Sequence, residues 1–318
     1  MEVLKKIVVI GEILVEIMAD ERGDGFLRPI ALTGPYPSGA PAIFSDQAAR
    51  LGQPTAIISA VGNDDFGRLN LDRLHADGVD ISAVFIDHDR PTGSAFVRYR
   101  QDGRRDFVFN IAHSACGRLH QSPATEEVLS SADHIHVMGS SLSSPEFSSF
   151  VVASAQAIKK RGGTVSFDPN IRKEILKAPG TQEAMAAVLA ITDLYLPSDD
   201  ELFLLSGASE PEAAIAELLA TGISVIVHKR GVAGATYHDR SRCFHAAAYP
   251  VREVDPTGAG DCFGATFTTL WLRGTSPEEA LHFAAAAGAL AVTRRGPMEG
   301  ASHVETLIEL VSATEGPN

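Results

Sequence analysis

Apolar residues fall along the chain in short blocks, and the spacing between them changes from one region to the next. Lys6–Gly11 reads as a buried strand and Leu14–Met18 as a second. Pro, Gly and Tyr cluster at Thr33–Ala40, a helix follows to about Leu51, and "TAIISAVG" is the next strand. In "DDFGRLNLDRLHADG" the apolar Phe66, Leu69, Leu71 and Leu74 recur at roughly helical spacing, and Gly78 is the expected C-terminal cap. Over 81–111 the pattern turns to alternation: "ISAVFID", "GSAFVRYR" and "RRDFVFNI" predict an antiparallel ribbon, with Gly93 and "QDG" as turn signals. Beyond it, "DHIHVMG", "TVSFDPN", "DLYLPSDDE" and "ISVIVHKRG" read as strands, each followed by a helical pattern. Such alternation predicts a mostly parallel sheet with helices on both faces. Ligands then gather at the carboxyl ends of its strands.

Bulk properties narrow the picture. A length of 318 residues suits one large α/β domain with an insertion, or two domains. The net charge of −13 repels a phosphodiester backbone, so nucleic acid is excluded as a partner, while a local pocket still admits a nucleotide-sized anion. The three cysteines, Cys116, Cys243 and Cys262, form no CxxC pattern, which points to a reducing compartment. Glu12 and Glu16 interrupt the apolar N-terminus and argue against a signal peptide. The Ala-rich run Phe283–Val292 is too short for a membrane span. The expectation is a soluble cytoplasmic protein with no membrane partner.

The most informative stretch is "VDPTGAGDCFGATF", 254–267. Phe263, Phe267, Leu270 and Trp271 recur at helical spacing and Gly274 stops the pattern, so a helix begins near Gly258. Its first turn offers unpaired N–H groups and the positive end of the helix dipole, an anion site. Gly258 and Gly260 let a phosphoryl group approach the backbone closely. Asp261 sits beside that site and can take a proton from a hydroxyl. Anion hole plus base is what phosphoryl transfer to an alcohol requires. The motif alone leaves a second reading open, in which the glycines only make a tight turn and Asp261 caps the helix.

Added residues carry a resemblance. "DPTGAGD", "SGAPAIFSDQAARLG", "VGNDDFGR", "DPNIR" at 168–172 and "VIVHKRGVAGATY" at 225–237 together resemble the ribokinase/PfkB family of carbohydrate kinases, from about Ile7 to Gly300. The resemblance implies a ribokinase-like three-layer α/β/α core of nine or ten strands, mostly parallel, with a small β lid. The expected core is 1–13, 34–80 and 114–318, and the expected lid 14–33 and 81–113. It implies ATP-dependent phosphorylation of a sugar hydroxyl, with Asp261 as base and Gly258, Ala259 and Gly260 as anion hole. Lys229, Gly231 and Gly234 take the nucleotide-binding positions. Glu201 would serve magnesium through water; Ser198 stands where the family has Asn, and "SDDE" also reads as a capping box. Asp255, Thr257, Ala291, Arg294 and Gly296 match a monovalent-cation ring (K+ in the family), mostly through backbone carbonyls. A homodimer through the lid is implied.

For the sugar, the resemblance points to Glu16, Gly39 and Arg172. Ile43 replaces the family's Asn, and Asp46, one helical turn later, is the expected substitute. Acid-sugar kinases of the family carry a lid arginine where this chain has "FVFNIAHSA" with Asn110. A neutral ketohexose such as tagatose or fructose is therefore expected, with 2-keto-3-deoxygluconate as the alternative. A nucleoside kinase and a non-catalytic sugar sensor also stay open. His134 and His136 alternate on one strand face without a third metal ligand nearby, so they read as core. Cys262 reads as a small buried thiol, Arg104–Arg105 as a solvated turn pair, and Asp64–Asp65 as a helix cap.

Overall fold

The structure, a computed structural model, describes residues 4–23, 25–101, 105–118, 121–142, 144–171 and 180–315. In chain order the elements begin β1 (Ile7–Ile10), β2 (Leu14–Ala19), β3 (Leu32–Ser38), α1 (Ala40–Arg50), β4 (Thr55–Gly62), α2 (Asp65–Ala76), β5 (Val84–Asp87), β6 (Gly93–Tyr99) and β7 (Arg105–Asn110). They continue α3 (Pro123–Ser131), β8 (His134–Met138), α4 (Pro145–Lys160), β9 (Thr164–Asp168), α5 (Thr181–Leu189), β10 (Leu194–Tyr195), α6 (Pro211–Ala220) and β11 (Val225–Lys229). The chain closes with β12 (Ala235–His238), β13 (Cys243–Ala246), α7 (Ala259–Leu272), α8 (Pro277–Ala291) and α9 (Val304–Glu315).

A nine-stranded sheet runs β13-β12-β11-β10-β9-β8-β1-β4-β5, and a four-stranded sheet runs β3-β2-β6-β7. In the large sheet β5, β4, β1 and β8 to β11 are parallel, and β12 and β13 turn antiparallel at one edge. This is the ribokinase-like α/β fold with a mostly parallel central sheet and a small separate sheet. Alternation along β1 shows the layering. Val8 and Ile10 pack with α3, α4, α5 and α6 on one face. Ile7 and Val9 pack with Phe44 of α1 and Ala265 of α7 on the other. Both faces are covered, which is why the parallel strands read as unbroken apolar runs.

Two expected boundaries shift. Alternation places "VFID" in the lid, but it is β5, paired parallel with β4 at the edge of the large sheet. Residues 32–38, placed largely in the core, form β3 of the small sheet, antiparallel to β2. The small sheet is also not a simple antiparallel ribbon, because β2 and β6 run parallel. α2 begins as expected, with the Asp64 carboxylate accepting from Gly67 N at 2.8 Å, and Gly78 follows its end at φ 90°.

His134 and His136 are fully buried in β8, as core residues. Ser166 Oγ lies 2.7 Å from both His134 Nε2 and His136 Nδ1, and Thr164 Oγ1 lies 2.8 Å from His134 Nδ1. Among the described residues no group of three His, Cys, Asp or Glu could hold a metal. Burial above all, with Lys5 and Lys159 adding, pulls His134 down to about 3; burial likewise drives His136 well below the usual imidazole range. The native state therefore refuses protons that the unfolded chain accepts below about pH 6.5. The stabilisation is complete above that pH and is lost as pH falls toward the native value. His134 loses about 2 kcal/mol of this by pH 5, and His136 acts in the same direction. Asp46, described below, acts in the opposite sense, so the contrast is read on a variant. His134→Gln is expected to lose about 2 kcal/mol less than wild type between pH 7.5 and 5 in urea denaturation. Equal losses would remove the histidine from this account.

Candidate active site

The strand order reverses at β1, which has β4 on one side and β8 on the other. Such a switch point opens a crevice at the carboxyl ends of the strands. A cavity of about 570 Å³ lies there, lined by residues at or just beyond the ends of β1, β8, β9, β10 and β11, by the start of α7, and by the inner face of the small sheet. Its walls include five carboxylates, Glu12, Glu16, Asp168, Glu201 and Asp261, and two cations, Lys229 and Arg105.

α7 presents its first turn to this cavity. Gly258 is the N-cap at φ 83°. A Cβ built there would meet Pro297 O at 2.2 Å, so both the backbone angle and the packing require glycine. At Gly260 a Cβ would meet only Lys229 Nζ, at 3.6 Å. The approach to the amides is thus open at Gly260, with an ammonium group beside it. Asp261 is 8% exposed and lines the cavity. Asn170 Nδ2 donates to its Oδ1 at 3.1 Å. Asn170 is itself left-handed, at φ 39°, and its N–H donates to Asp168 Oδ1 at 3.1 Å. Asn170 therefore positions Asp261, a link that the sequence reading missed although "DPN" was in view.

Lys229 Nζ donates to Asp168 Oδ2 at 2.5 Å. Burial works against its charge, but Asp168 and then Glu201 outweigh it and hold the ammonium above the usual lysine range. Glu201 accepts from Ile171 N at 2.7 Å and from Ser198 N at 2.8 Å. Burial first, and then Asp168, raise its carboxyl above the usual range. The helix expected after Ser198 is a short 3₁₀ turn, Asp199–Phe203. Gly231 and Gly234 form the turn after β11, at φ 51° and 82°, outside the cavity walls.

From the small sheet, Glu16 projects from β2 and accepts from Ser38 Oγ at 2.8 Å. Gly39, at φ 111°, starts α1; a Cβ there would lie 2.4 Å from Glu12 O. Glu12 was also missed. It accepts from Ser140 Oγ at 2.9 Å and Ser141 Oγ at 2.8 Å. Its signal was available, since it is the first charged residue after a buried strand. Arg172 lies outside the described residues.

Asp46 must be corrected. Its side chain is fully buried and stands outside the cavity walls, 3.4 Å from Arg50 Nε and 3.3 Å from Arg73 Nη2. Ile43 does reach the cavity, but three further residues carry Asp46 along the axis of α1 and round toward α2. Burial, followed by a hydrogen bond to Asp77, pushes its carboxyl up to about 7. Asp46→Ala is expected to leave the sugar KM unchanged and to cost about 1–3 kcal/mol, since it removes a buried hydrogen-bonding partner of Arg73, which keeps Asp77 and Met298 O. Urea denaturation beside steady-state kinetics checks this; a raised KM at full stability would restore Asp46 to the sugar site. Arg105 is the second correction. It is no solvated turn residue: Nη1 donates to Thr257 Oγ1 at 3.0 Å, and it lines the cavity. Arg104 lies outside the described residues. Cys262 is buried as expected.

The cation-ring segments do come together. Gly296 N and Thr257 N both donate to the Asp255 carboxylate, each at 3.0 Å, and Tyr99 Oη donates to it as well. Val292 O accepts from Asp255 N at 3.2 Å. Ala291 is buried at the end of α8, and Arg294 precedes Gly296 in the same loop. Asp255 is 1% exposed and, among the described residues, satisfied by neutral donors alone. A buried charge so placed fits a cation.

A helix mouth open to an anion, a carboxylate beside it and a sugar-sized crevice define a phosphotransferase that acts on an alcohol. The pfkB family carbohydrate kinase model matches residues 4–304, and the chain belongs to that family. It is 31% identical over 318 residues to 2-dehydro-3-deoxygluconokinase of Thermoproteus tenax, covering 98% of this chain and 96% of that one. It is 32% identical over 312 residues to fructokinase of Klebsiella pneumoniae, covering 95% and 98%. A crystal structure of an E. coli protein provisionally named ribokinase II superposes with a TM-score of 0.93 at 50% identity, covering 98% and 100%. The same protein has been solved with ATP and Mg2+, at a TM-score of 0.92. The chain is therefore an ATP-dependent sugar kinase. Among the described residues no helix is long and apolar enough to cross a membrane.

Proposed function

We propose that this kinase phosphorylates a hydroxyl of a neutral ketohexose of the fructose or tagatose type, with Asp261 as the base. The observation that carries the choice of sugar is the pair of carboxylates, Glu12 and Glu16, in the cavity wall, held by Ser140 and Ser38. Carboxylates accept hydrogen bonds from sugar hydroxyls and repel a substrate carboxylate. The Thermoproteus tenax relative supports 2-keto-3-deoxygluconate as the second reading.

In this reading the sugar lies across Glu16 and Gly39 with one hydroxyl at Asp261. Asn170 holds Asp261 in the orientation that takes the hydroxyl proton. The amides of Gly258, Ala259 and Gly260, with Lys229 above Gly260, receive the charge of the transferred group. Magnesium, when bound to the nucleotide, neutralises phosphate charge, and Glu201 with Ser198 would hold it through water. Gly231 and Gly234 flank the nucleotide, and Arg172 completes the sugar side. Asp255, Thr257, Ala291, Arg294 and Gly296 hold K+. The outer face of the small sheet, where Leu32 and Val108 are exposed, pairs two copies in a homodimer. The enzyme works in the cytoplasm.

An ADP-release assay over fructose, tagatose, 2-keto-3-deoxygluconate and adenosine tests the reading. A ketohexose is expected to lead the acid by at least about tenfold in kcat/KM. If the acid leads, the neutral-sugar reading falls. If adenosine leads, the enzyme is a nucleoside kinase, and a thermal shift with no turnover marks a sensor.

A further inference from the structure

Among the described residues five carboxylates line the cavity against two cations, and one of those cations is already committed: Lys229 is paired with Asp168. Arg105 stands differently. It opens β7 opposite Tyr99 of β6, whose phenol donates to Asp255. That bond ties the end of the lid hairpin to the segment that leads into α7. It sets Arg105 Nη1 3.0 Å from Thr257 Oγ1, one residue before Gly258. The guanidinium lies 5.5 Å from the Phe107 ring centroid, which limits its swing. Among the described residues no carboxylate pairs with it. A guanidinium has five donors, and Thr257 accepts one of them.

We propose that Arg105 is a catalytic residue of the transfer step. Reaching from the lid, it donates to the non-bridging oxygens of the phosphoryl group, across from the amides of α7. The proposal rests on the sugar-kinase reading of this site. In the step, the bond from the γ-phosphorus to the β,γ-bridging oxygen breaks and its electron pair leaves with ADP. The sugar oxygen bonds to phosphorus, and its proton passes to Asp261. Arg105 keeps its protons, and its donors follow the charge that builds on the phosphoryl oxygens. The helix mouth, with the Asp168-paired Lys229 beside it, then gains a second cation that arrives with the lid. Transfer is thereby confined to molecules whose lid is docked.

Arg105→Gln and Arg105→Lys test this with saturating ATP and the best sugar of the panel. Gln is expected to lower kcat by about 100-fold or more, and Lys by about tenfold, because it loses the planar fork. Both KM values stay within about threefold of wild type and the melting temperature is unchanged. In a second measurement, ADP with aluminium fluoride, which mimics the transferring phosphoryl, stabilises wild type but not Arg105→Gln, while a non-hydrolysable ATP analogue stabilises both equally. Near-wild-type kcat, or equal stabilisation by aluminium fluoride, overturns the proposal. So does a loss confined to the KM of an acidic sugar, which would make Arg105 a reader of substrate carboxylate. The aluminium fluoride comparison decides Arg105 even if wild type turns over none of the sugars, a result that would instead sink the proposed substrate.

Discussion

Asp261→Asn is expected to lower kcat by about 1,000-fold while the fold and the sugar KM stay nearly unchanged. The substitution keeps the size of the side chain and removes the proton acceptor. Asn170 Nδ2 now donates to Asp261 Oδ1 at 3.1 Å; an amide oxygen at the same place still accepts that bond. The side chain therefore holds its orientation, and the loss falls on chemistry rather than on binding. Steady-state kinetics with a thermal melt checks the split. A kcat within about tenfold of wild type would leave Asp261 without its role as base.

Gly258→Ala is expected to damage both stability and turnover, and Gly260→Ala turnover alone. At Gly258 the backbone sits at φ 83°, and a Cβ would stand 2.2 Å from Pro297 O. The left-handed angle alone costs about 1–2 kcal/mol for an L-residue. The clash is with backbone, so the start of α7 or the 294–298 loop must move. We expect a stability loss of about 3 kcal/mol and at least about a 100-fold loss in kcat, since a shift of about 1 Å at the reacting centre is enough for that. At Gly260 the added methyl meets no backbone, only the Lys229 ammonium at 3.6 Å. Its expected effect is weaker ATP binding and slower transfer at unchanged stability. Denaturation midpoints for the two variants check the contrast, and equal midpoints would remove the packing argument for Gly258.

Much of this site is legible in the amino-acid sequence. The helix start at Gly258 was plain from the apolar spacing after it, and the βα alternation carried the sheet. What failed did so for identifiable reasons. Asp46 was placed by counting one turn from Ile43, but a turn also advances along the axis, and this helix points its start, not its side, at the cavity. Arg105 looked solvated because it follows a turn, and only the Tyr99–Asp255 contact, 156 residues apart in sequence, brings it inward. "VFID" alternates like its lid neighbours, and the isolated parallel bridge between Ala56 and Asp80, far apart in sequence, precedes its pairing with β4. Glu12 was noticed only as an interruption of apolar sequence, although polar residues that end a buried parallel strand sit where ligands bind.

One hydroxyl between two imidazoles has a consequence for proton traffic. Ser166 has a single proton to give, so only one of His134 Nε2 and His136 Nδ1 can receive it. His136 Nε2 has no partner among the described residues and lies in a ring stacked on Phe44 at 3.7 Å. A buried lone pair is less costly to leave bare than a buried N–H. His136 is therefore the Nδ1–H tautomer that donates to Ser166; Ser166 donates to His134, and His134 to Thr164. The row is polarised in one direction and ends dry against an aromatic face. It is no relay to Asp261.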